Sequence, residues 1–375
     1  MRVLFCLDYY YPHLGGAEIL FQNLAEGLVA RGHEVDVVTQ AVRDAPLEEA
    51  IQGVRVHRVR TGDSRNVFCV AALPTMLRLA KHADVIHAST FAAAWPAALA
   101  AKLRRKPSVL TVHEVWIGMW NQVSDAGRLS NAFHDLAERT IYWPRYTRYI
   151  AVSHATERAL ANFVPGERIC TIYNGLDYTL WNPSEHDGKT VRASLPLPSD
   201  AHIFFFSGRP GRSKGFPVLL KAFAEVVRQA PNACLLALLS TSRACAEGYR
   251  EARCLVQELA LEEKVLIHAP VPRLELPSWV AAADTVCVPS LSEGFGFCAA
   301  EASALGRPVI ATDNASLPEV IGGKYLLVPP ANSKTFAAAM LRAIHNDYDT
   351  RPLPHFSLQD NILQHEKLYE AVASG

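Results

Sequence analysis

The sequence predicts an α/β protein built from two doubly wound parallel sheets. Short apolar runs alternate with helical patterns along the whole chain, which is typical of parallel sheets covered by helices on both faces. A polar, proline-rich segment near Trp181 interrupts this alternation, and a second series then begins. The 375 residues suffice for two domains of roughly 100–200 residues, each large enough to bury its own core.

The first series of apolar runs defines an N-terminal domain over residues 1–181. Its first strand leads into an amphipathic helix at 17–31, which the pair Gly32-His33 ends. Five further strands follow. The predicted strands of this domain are residues 3–7, 35–39, 54–58, 85–87, 109–112 and 149–152.

Residues 182–200 are predicted to be a linker, because this segment is polar and contains three prolines. A second domain covers residues 201–355, and an amphipathic helix is expected after it at 358–372. Ligands bind at the carboxyl ends of parallel strands, so we expect the functional site in the cleft between the two domains. The predicted strands of the second domain are residues 203–207, 233–239, 265–268, 285–288, 309–311 and 325–328.

The charge balance argues against a nucleic-acid-binding protein. The chain has 37 Lys and Arg against 37 Asp and Glu and a pI of about 7.2, so it offers no general attraction for phosphate backbones. Disorder is excluded by a hydrophobic content of 50%. The one dense basic run, at 102–106, follows an alanine-rich helical stretch. We interpret it as a solvated helix end rather than a membrane-facing patch.

Cysteine usage and hydropathy predict a cytoplasmic protein. None of the eight cysteines forms a Cys-x-x-Cys pair, and Cys6 and Cys287 lie in apolar strands, as expected in a reducing compartment. The low-charge stretch at 85–101 falls short of the roughly 20 apolar residues that a membrane-spanning helix needs. We therefore expect a cytoplasmic chain, with any membrane association limited to a peripheral contact at the inner face.

The first motif is Gly15-Gly16, between the first strand and the first helix. Two glycines at a helix N-terminus let backbone amides approach an anionic group closely. A tight turn explains the pair equally well. The motif is not Gly-x-Gly-x-x-Gly, and Asp36 lies near the start of the second strand instead of at its end. The dinucleotide-binding fingerprint is therefore not satisfied.

The second motif runs from Gly208 to Gly215, directly after the first strand of the second domain. Its two cations suit a diphosphate, because Arg209 can bind through its planar guanidinium fork and Lys214 as a point charge. The spacing does not satisfy a P-loop. A surface loop with ordinary solvated cations is the alternative interpretation.

The third motif places Glu293 and Glu301 eight positions apart, with a glycine-bearing turn between them. A strand ends before the turn, and a helix is predicted to begin after it, so Glu293 lies in the turn and Glu301 on the helix. Carboxylates accept hydrogen bonds from vicinal hydroxyls. One acid could therefore hold a sugar and the other a ribose.

These motifs together resemble a known enzyme family. Gly15-Gly16, Thr111-Val112-His113, Asn174-Gly175, Gly208-Arg209 with Lys214, and Glu293-x7-Glu301 follow one another as in the retaining GT-B glycosyltransferases of family 4. The resemblance covers essentially the whole chain and implies two Rossmann-like domains. It also implies that residues 356–375 form a helix that crosses back to the N-terminal domain.

The resemblance implies a role for each motif residue. Arg209 and Lys214 look like the pair that binds the donor's diphosphate, and Glu301 looks like the ribose acceptor. Glu293 looks like the residue that holds the donor sugar, and the segment 268–271 would border the base. His87 also ends a strand and stays unassigned. The implied catalytic residues are His113, Arg209, Lys214 and Glu293, and the implied donor-binding residues are Gly16, Arg209, Lys214, His268, Val271, Glu293, Gly294, Phe295, Gly296, Phe297 and Glu301.

The resemblance implies an enzyme that moves a hexose, with retention, from GDP-mannose or a UDP-hexose to a hydroxyl. The acceptor is a glycan, a lipid-linked molecule or a small molecule. No metal is expected, because the protein cations can replace it, and Asp347-Tyr348-Asp349 is predicted to be a solvated turn. This chain differs from the usual family pattern after Glu293, where Phe297-Cys298 stands in place of a common Leu-Pro pair. The resemblance therefore does not identify the donor sugar.

Two other functional classes remain after this comparison. A catalytically inactive GT-B subunit could bind a partner or a sugar without turnover, although His113, Arg209, Lys214, Glu293 and Glu301 are all present. A dinucleotide-dependent oxidoreductase is disfavoured by the missing glycine fingerprint. Nucleic acid is not an expected partner. A peripheral membrane contact through the N-terminal domain is neither predicted nor excluded by the sequence.

Overall fold

The protein folds into two compact units, each with a mostly parallel sheet and helices packed against it. The structure is a computed structural model. It describes all residues apart from Leu14, Asp44, Asp63, Arg243 and Ala244. The first unit consists of Met1–Ile117, Phe133–Gly175 and Phe356–Gly375, and the second of Gly118–Ala132 and Leu176–His355. The predicted fold class of two doubly wound parallel sheets is confirmed.

The sheet of the first unit has eight strands: β1 (Arg2–Cys6), β2 (Glu34–Gln40), β3 (Glu48–Ile51), β4 (Val54–Val59), β5 (Val85–Ser89), β6 (Ser108–Val112), β7 (Arg148–Ala151) and β8 (Ile169–Thr171). Their order is β3-β4-β2-β1-β5-β6-β7-β8. All neighbours are parallel except β3 and β4. Both β5 and β6 are buried along their whole length. They therefore lack the alternation of a half-exposed strand.

Helices of the first unit include the C-terminal one, which packs on the first. A Cβ atom at Gly27 would collide with Ile362 Cδ1, so glycine is needed for this close approach. The helices before Gly175 are α1 (Gly16–Ala30), α2 (Arg65–Ala71), α3 (Leu73–Ala80), α4 (Ala94–Arg104), α5 (Trp120–Val123), α6 (Arg128–Ile141) and α7 (His154–Leu160). Of these, α5 belongs to the second unit, and α6 begins in the second unit and ends in the first. The C-terminal helix, α15, covers Leu358–Ser374. None of the described helices is long and apolar enough to cross a bilayer.

Asp36 ties three strands of the first sheet together. Its buried carboxylate accepts hydrogen bonds from Arg2 Nε at 3.0 Å and from Arg55 Nε at 2.9 Å, and it lies 3.0 Å from His57 Nε2. These three partners come from β1 and β4, on either side of β2. Asp36 is thus committed to the protein's own side chains, in agreement with the missing dinucleotide fingerprint.

The sheet of the second unit has seven strands: β9 (His202–Gly208), β10 (Ala233–Leu239), β11 (Val265–His268), β12 (Thr285–Val288), β13 (Val309–Thr312), β14 (Gly323–Val328) and β15 (Asp349–Arg351). Their order is β11-β10-β9-β12-β13-β14-β15, and only β15 is antiparallel to its neighbour. Its helices are α8 (Lys189–Ser194), α9 (Phe216–Gln229), α10 (Ala246–Glu258), α11 (Leu276–Ala281), α12 (Phe297–Ala304), α13 (Leu317–Val320) and α14 (Ser333–Ile344).

The segment expected to link the domains is part of the second unit. Residues from Leu176 onward belong to that unit. The helix α8 explains this placement, because Arg192 donates a hydrogen bond to Asp284 Oδ2 at 2.9 Å and others to the carbonyls of Ala201 and Ala282. The polar composition of 182–200 therefore reflects ion pairing as well as exposure.

Candidate active site

The Gly208–Gly215 loop follows β9 and leads into α9. Gly215 has φ +69°, and a Cβ atom there would collide with the carbonyl oxygen of Pro289. Only glycine therefore permits this path of the chain. The loop leaves the Arg209 side chain exposed, with no hydrogen bond or ion pair to the described residues. An exposed guanidinium at the carboxyl end of a central strand is available for an anion.

Lys214 and Glu293 form an ion pair at the adjoining ends of β9 and β12. Lys214 Nζ donates to Glu293 Oε1 at 2.7 Å, and the hydroxyl of Ser290 donates to the same oxygen at 2.8 Å. The side chains are 22% and 13% exposed, respectively. The sequence motifs assigned this lysine to a diphosphate and this glutamate to a sugar. The structure brings the two groups into direct contact.

The turn that carries Glu293 is held in place by hydrogen bonds from the following strand–helix segment. Ser316 Oγ donates to the carbonyl of Glu293 at 2.9 Å, and Asn314 Nδ2 donates to the carbonyl of Leu291 at 2.6 Å. Gly296 caps α12 with φ +87°. The turn therefore leads through Gly294 and Phe295 directly into the N-terminus of α12, whose first residue is Phe297. Backbone N–H groups at a helix N-terminus favour an anion or an oxygen ligand.

Glu301 lies on α12 and is almost completely buried. Burial raises the pKa of its carboxyl to about 7, and the charge of Arg273 opposes that rise. The Arg273 guanidinium lies 3.6 Å from Glu301 Oε1. The sequence analysis did not identify Arg273. The only available signal was its place two residues after Val271, in the segment already assigned to the base.

The segment after β11 contains the two residues assigned to the base. His268 is exposed, and its ring lies 4.6 Å from the ring of Trp279. Val271 is half-buried and precedes Pro272. The strand order places the end of β11 two strands away from the Arg209 loop, and Arg273 connects this segment to Glu301.

His113 follows β6 in the first unit. Its Nε2 atom is buried and has no hydrogen-bond partner among the described residues. Burial lowers the pKa of His113 to about 4, opposed by the charge of Glu18, so the imidazole is neutral at pH 7. Phe21 packs its ring edge against His113 at a centroid distance of 6.0 Å. Gly16, the other predicted residue of this unit, begins α1.

Asp8 is a further candidate site residue, which the sequence motifs do not include. It comes two residues after β1 ends, and its carboxylate accepts hydrogen bonds from the backbone N–H groups of Ala93 at 2.8 Å and Ala92 at 3.3 Å. Arg65 Nε lies 3.5 Å away. Burial raises the pKa of Asp8 to about 6, although Arg65 and the two N–H groups oppose this rise. Its position directly after a buried strand was the available signal.

His87 is a structural residue of the first unit. Its Nδ1 atom lies 2.6 Å from the hydroxyl of Tyr369 on α15, and its Nε2 atom lies 2.7 Å from Thr111 Oγ1 on β6. Burial lowers its pKa. Through His87, the C-terminal helix α15 is therefore linked by hydrogen bonds to β6, the strand that ends just before His113.

The Asp347-Tyr348-Asp349 sequence does not contact any of the candidate site residues described above, as far as the structure describes them. Arg342 donates to Asp347 Oδ2 at 2.7 Å and lies 3.7 Å from Asp349 Oδ1. Asp349 also begins the edge strand β15, so the segment is more ordered than the solvated turn that the sequence suggested. Among the residues that the structure describes, no group of three or more His, Cys, Asp or Glu is placed to hold a metal ion.

Two family models match this chain, one on each side of residue 181. The model described as Glycosyltransferase Family 4 matches residues 14–180. The model described as Glycosyl transferases group 1 matches residues 187–355. Together they include every predicted site residue, from Gly16 and His113 to Arg209, Lys214, Glu293 and Glu301.

Individual proteins agree with these matches. A D-inositol 3-phosphate glycosyltransferase from a Nocardioides strain is 29% identical over 361 residues, which cover 89% of this chain and 78% of the relative. Sucrose-phosphate synthase from Thermosynechococcus elongatus has a similar structure, with a TM-score of 0.76 and 24% identity over 99% of this chain and 96% of that one. HepE from Anabaena, whose structure was solved in complex with UDP-glucose, matches with a TM-score of 0.74 and 21% sequence identity. The match covers 100% of this chain and 97% of HepE.

Proposed function

The chain belongs to glycosyltransferase family 4, and we propose that it transfers a hexose from a nucleoside-diphosphate sugar to an acceptor hydroxyl with retention of the anomeric configuration. The observation that carries this proposal is the Lys214–Glu293 ion pair at the ends of β9 and β12. It places a cation suited to a phosphate next to a carboxylate suited to sugar hydroxyls.

The second unit is proposed to bind the donor. Departure of the diphosphate builds negative charge on its oxygens, and Arg209 and Lys214 can stabilise that charge without reorganisation of solvent. Glu301 accepts hydrogen bonds from the ribose hydroxyls, and Arg273 keeps its carboxylate oriented and favours its ionised form. The N-terminus of α12, after Gly296, adds backbone donors. Because these protein groups supply positive charge, we propose that turnover needs no divalent metal.

The first unit is proposed to bind the acceptor near Asp8, Gly16 and His113. The acceptor oxygen bonds to the anomeric carbon on the face that the diphosphate leaves, and the acceptor proton passes to a departing phosphate oxygen. Neutral His113 is suited to hydrogen-bond a sugar hydroxyl through its free Nε2 atom. The reaction therefore needs no proton from an ionised histidine.

The donor is proposed to be a UDP-hexose, with GDP-mannose as the alternative. The complex of the structurally similar HepE with UDP-glucose supports the UDP-hexose. The acceptor is a glycan, a lipid-linked molecule or a small molecule. The related D-inositol 3-phosphate glycosyltransferase supports the last of these, a small phosphorylated polyol.

The test combines binding with turnover. Thermal shifts with UDP, GDP, ADP and NAD identify the nucleotide, since a ligand at about 100 times its Kd stabilises by roughly 2.7 kcal/mol. Hydrolysis of UDP- and GDP-hexoses, with and without D-inositol 3-phosphate, then measures transfer. Release of nucleoside diphosphate that fails when Arg209 is replaced supports the proposal. Nucleotide binding without turnover on any donor would instead identify an inactive subunit, and stabilisation by NAD alone would identify an oxidoreductase.

A further inference from the structure

The segment 313–316 contains a residue in a strained backbone conformation. Ala315 has φ +51°, in the left-handed region that residues with a Cβ atom rarely adopt. The segment joins β13 to α13 in the second unit. The two neighbours of Ala315 are Asn314 and Ser316, and both donate hydrogen bonds to the turn that carries Glu293. Such strain persists only where the surrounding structure fixes the backbone, and it is concentrated at functional sites.

The hydroxyl of Ser316 is committed to that turn. Ser316 is completely buried and directly precedes α13. From this position a serine side chain usually accepts a hydrogen bond from the backbone of the helix that follows, but Ser316 makes no such bond to α13. Its Oγ atom donates to the carbonyl oxygen of Glu293 at 2.9 Å. The hydroxyl therefore supports the Glu293 turn and does not cap α13.

Two further side chains support the start of the same turn. Thr312 Oγ1 donates to the carbonyl oxygen of Ser290 at 2.5 Å, and Asn314 Nδ2 donates to that of Leu291 at 2.6 Å. Thr312 and Ser290 are both buried. Removal of the Thr312 hydroxyl would therefore leave a buried carbonyl without its partner.

Leu317 supports the end of the turn. A Cβ atom added to Gly296 would lie 2.9 Å from Leu317 Cδ2, so this side chain is in close contact with the backbone there. The turn is thus held at its start, at Glu293 and at its end by one continuous stretch of chain. We call this stretch the brace, and it consists of Thr312, Asn314, Ser316 and Leu317.

We propose that the brace selects the donor sugar by fixing the position of Glu293. This inference rests on the proposed function, in which Glu293 binds the sugar hydroxyls, and it assigns the brace as positioning residues that act through Glu293. Hydrogen bonds distinguish a sugar from its epimer only when the protein oxygen is held to within about 0.5 Å. Ser290 and Lys214 orient the Glu293 carboxylate directly, whereas the brace fixes the backbone that carries it.

The brace should affect recognition of the sugar and not of the nucleotide. Its hydrogen bonds go to carbonyl groups of residues 290–293. The proposed diphosphate and ribose ligands lie elsewhere, because Arg209 is in the loop after β9 and Glu301 is on α12. Loss of a brace hydrogen bond should therefore weaken discrimination between epimeric donors and leave the affinity for free nucleoside diphosphate nearly unchanged.

Calorimetric titration of the full chain tests the proposal. The probes are free UDP and GDP and two epimeric donor pairs, UDP-glucose with UDP-galactose and GDP-mannose with GDP-glucose. We expect the unaltered chain to prefer one epimer of the pair whose nucleotide it binds. Ser316→Ala should reduce that preference by roughly three- to tenfold, and Asn314→Ala/Ser316→Ala should reduce it further. Free nucleotide affinity should change by less than about twofold in both variants.

Ser303→Ala is the matched control. Ser303 is also a buried serine of the second unit, and its hydroxyl accepts a hydrogen bond from the backbone N–H of Gly322 at 3.3 Å. This variant should keep the epimer preference, and circular dichroism should show that all variants are folded.

Four results would overturn this inference alone. They are an unaltered chain without epimer preference, a double variant that keeps the preference, an equal loss in Ser303→Ala, and a parallel fall in free nucleotide affinity. Failure to bind UDP, GDP and all four sugar donors would overturn the proposed function, and this inference with it.

Discussion

Lys214 Nζ and Glu293 Oε1 lie 2.7 Å apart, so the cation assigned to the diphosphate and the carboxylate assigned to the sugar neutralise each other. Donor binding would bring a second anion to Lys214. The carboxylate oxygen that now accepts from Lys214 and Ser290 would at the same time face sugar hydroxyls. The pair therefore couples the two halves of the proposed donor site.

We expect Glu293→Gln to impair sugar transfer while leaving the affinity for free UDP or GDP unchanged or higher. The substitution removes the carboxylate proposed to bind the sugar, and also the negative charge that would compete with phosphate for Lys214. Calorimetric titration of the nucleotide, together with single-turnover transfer rates, separates the two effects. Loss of free nucleotide binding in this variant would contradict the placement of the sugar at Glu293.

Arg209→Ala should lower kcat by about 10²–10³, equivalent to roughly 2.7–4 kcal/mol of transition-state stabilisation. The guanidinium is proposed to face charge that grows as the glycosidic bond breaks, so KM should change much less. Steady-state kinetics with a saturating acceptor measure both. Lys221→Ala is the control, because Lys221 is an exposed cation on the adjoining helix α9. Normal transfer by Arg209→Ala would remove this residue from the leaving-group site.

Nucleotide affinity should increase as the pH rises through about 7. Burial raises the pKa of Glu301 to about 7, and the ionised carboxylate is the stronger acceptor and offers one oxygen to each of the two ribose hydroxyls that it is proposed to bind. Calorimetry at about pH 6 and about pH 8 tests this dependence. Arg273→Met removes the opposing cation and should move the midpoint to higher pH. A pH-independent affinity in the unaltered chain would show that Glu301 does not contact the ribose.

Glu301→Gln should make the protein more stable at about pH 8 and weaken nucleotide binding by about tenfold or more. Between pH 4.5 and about 7 the folded chain keeps a proton on Glu301 that the unfolded chain releases, so ionisation favours unfolding as the pH rises. The gain at about pH 8 is up to roughly 3 kcal/mol. Urea denaturation should show a difference between the proteins at about pH 8 that shrinks to less than about 1 kcal/mol at about pH 5.

Asp36→Asn should destabilise the first unit by about 1–3 kcal/mol at pH 7. Burial alone would raise the pKa of Asp36, but hydrogen bonds from His57, Arg55 and Arg2 hold it well below its usual range. A depressed carboxyl pKa stabilises the fold above the ordinary value, and this contribution is lost as the pH falls. The difference in unfolding free energy should therefore shrink below about pH 4.

Glu34→Gln is the matched control for Asp36→Asn. Glu34 also pairs with Arg55, at 2.9 Å, but its side chain is 60% exposed. Solvent screens such a pair, so we expect a change of less than about 1 kcal/mol. Equal destabilisation by the two substitutions would show that burial of Asp36 contributes nothing.

Transfer activity should survive EDTA, because Arg209 and Lys214 are proposed to supply the charge that a divalent ion provides in other enzymes. The assay measures initial rates after removal of divalent ions and again after addition of Mg²⁺ or Mn²⁺. A rate that collapses with chelator and returns with metal would contradict the assignment of the leaving group to these two residues.

The sequence predicted the central strands because they are buried on both faces and form short apolar runs. It missed β3, β8 and β15, which are three or four residues long and lie at sheet edges. Glu48–Ile51, for example, has a polar and half-exposed pattern without an apolar run. Pairing with a neighbour creates such strands, and a single sequence does not reveal its pairing partner.

The candidate site was predictable where glycines and charges occur together in one motif. Lys214 and Glu293 were both identified, but their contact was not, because 79 residues separate them along the chain. Arg273 and Asp8 lack a neighbouring motif, and only the structure shows their contacts with Glu301 and with the backbone of Ala92 and Ala93.

The return of α15 to the first unit sets an order for folding during synthesis. The second unit is complete once His355 has emerged, whereas the first still lacks Phe356–Gly375. At about 5–20 residues per second, the 180 residues from Leu176 to His355 take on the order of 10 s or more. Throughout this time α1 lacks its packing contact with Ile362, and His87 lacks its hydrogen bond with the hydroxyl of Tyr369. The unit that begins first on the ribosome is therefore finished last.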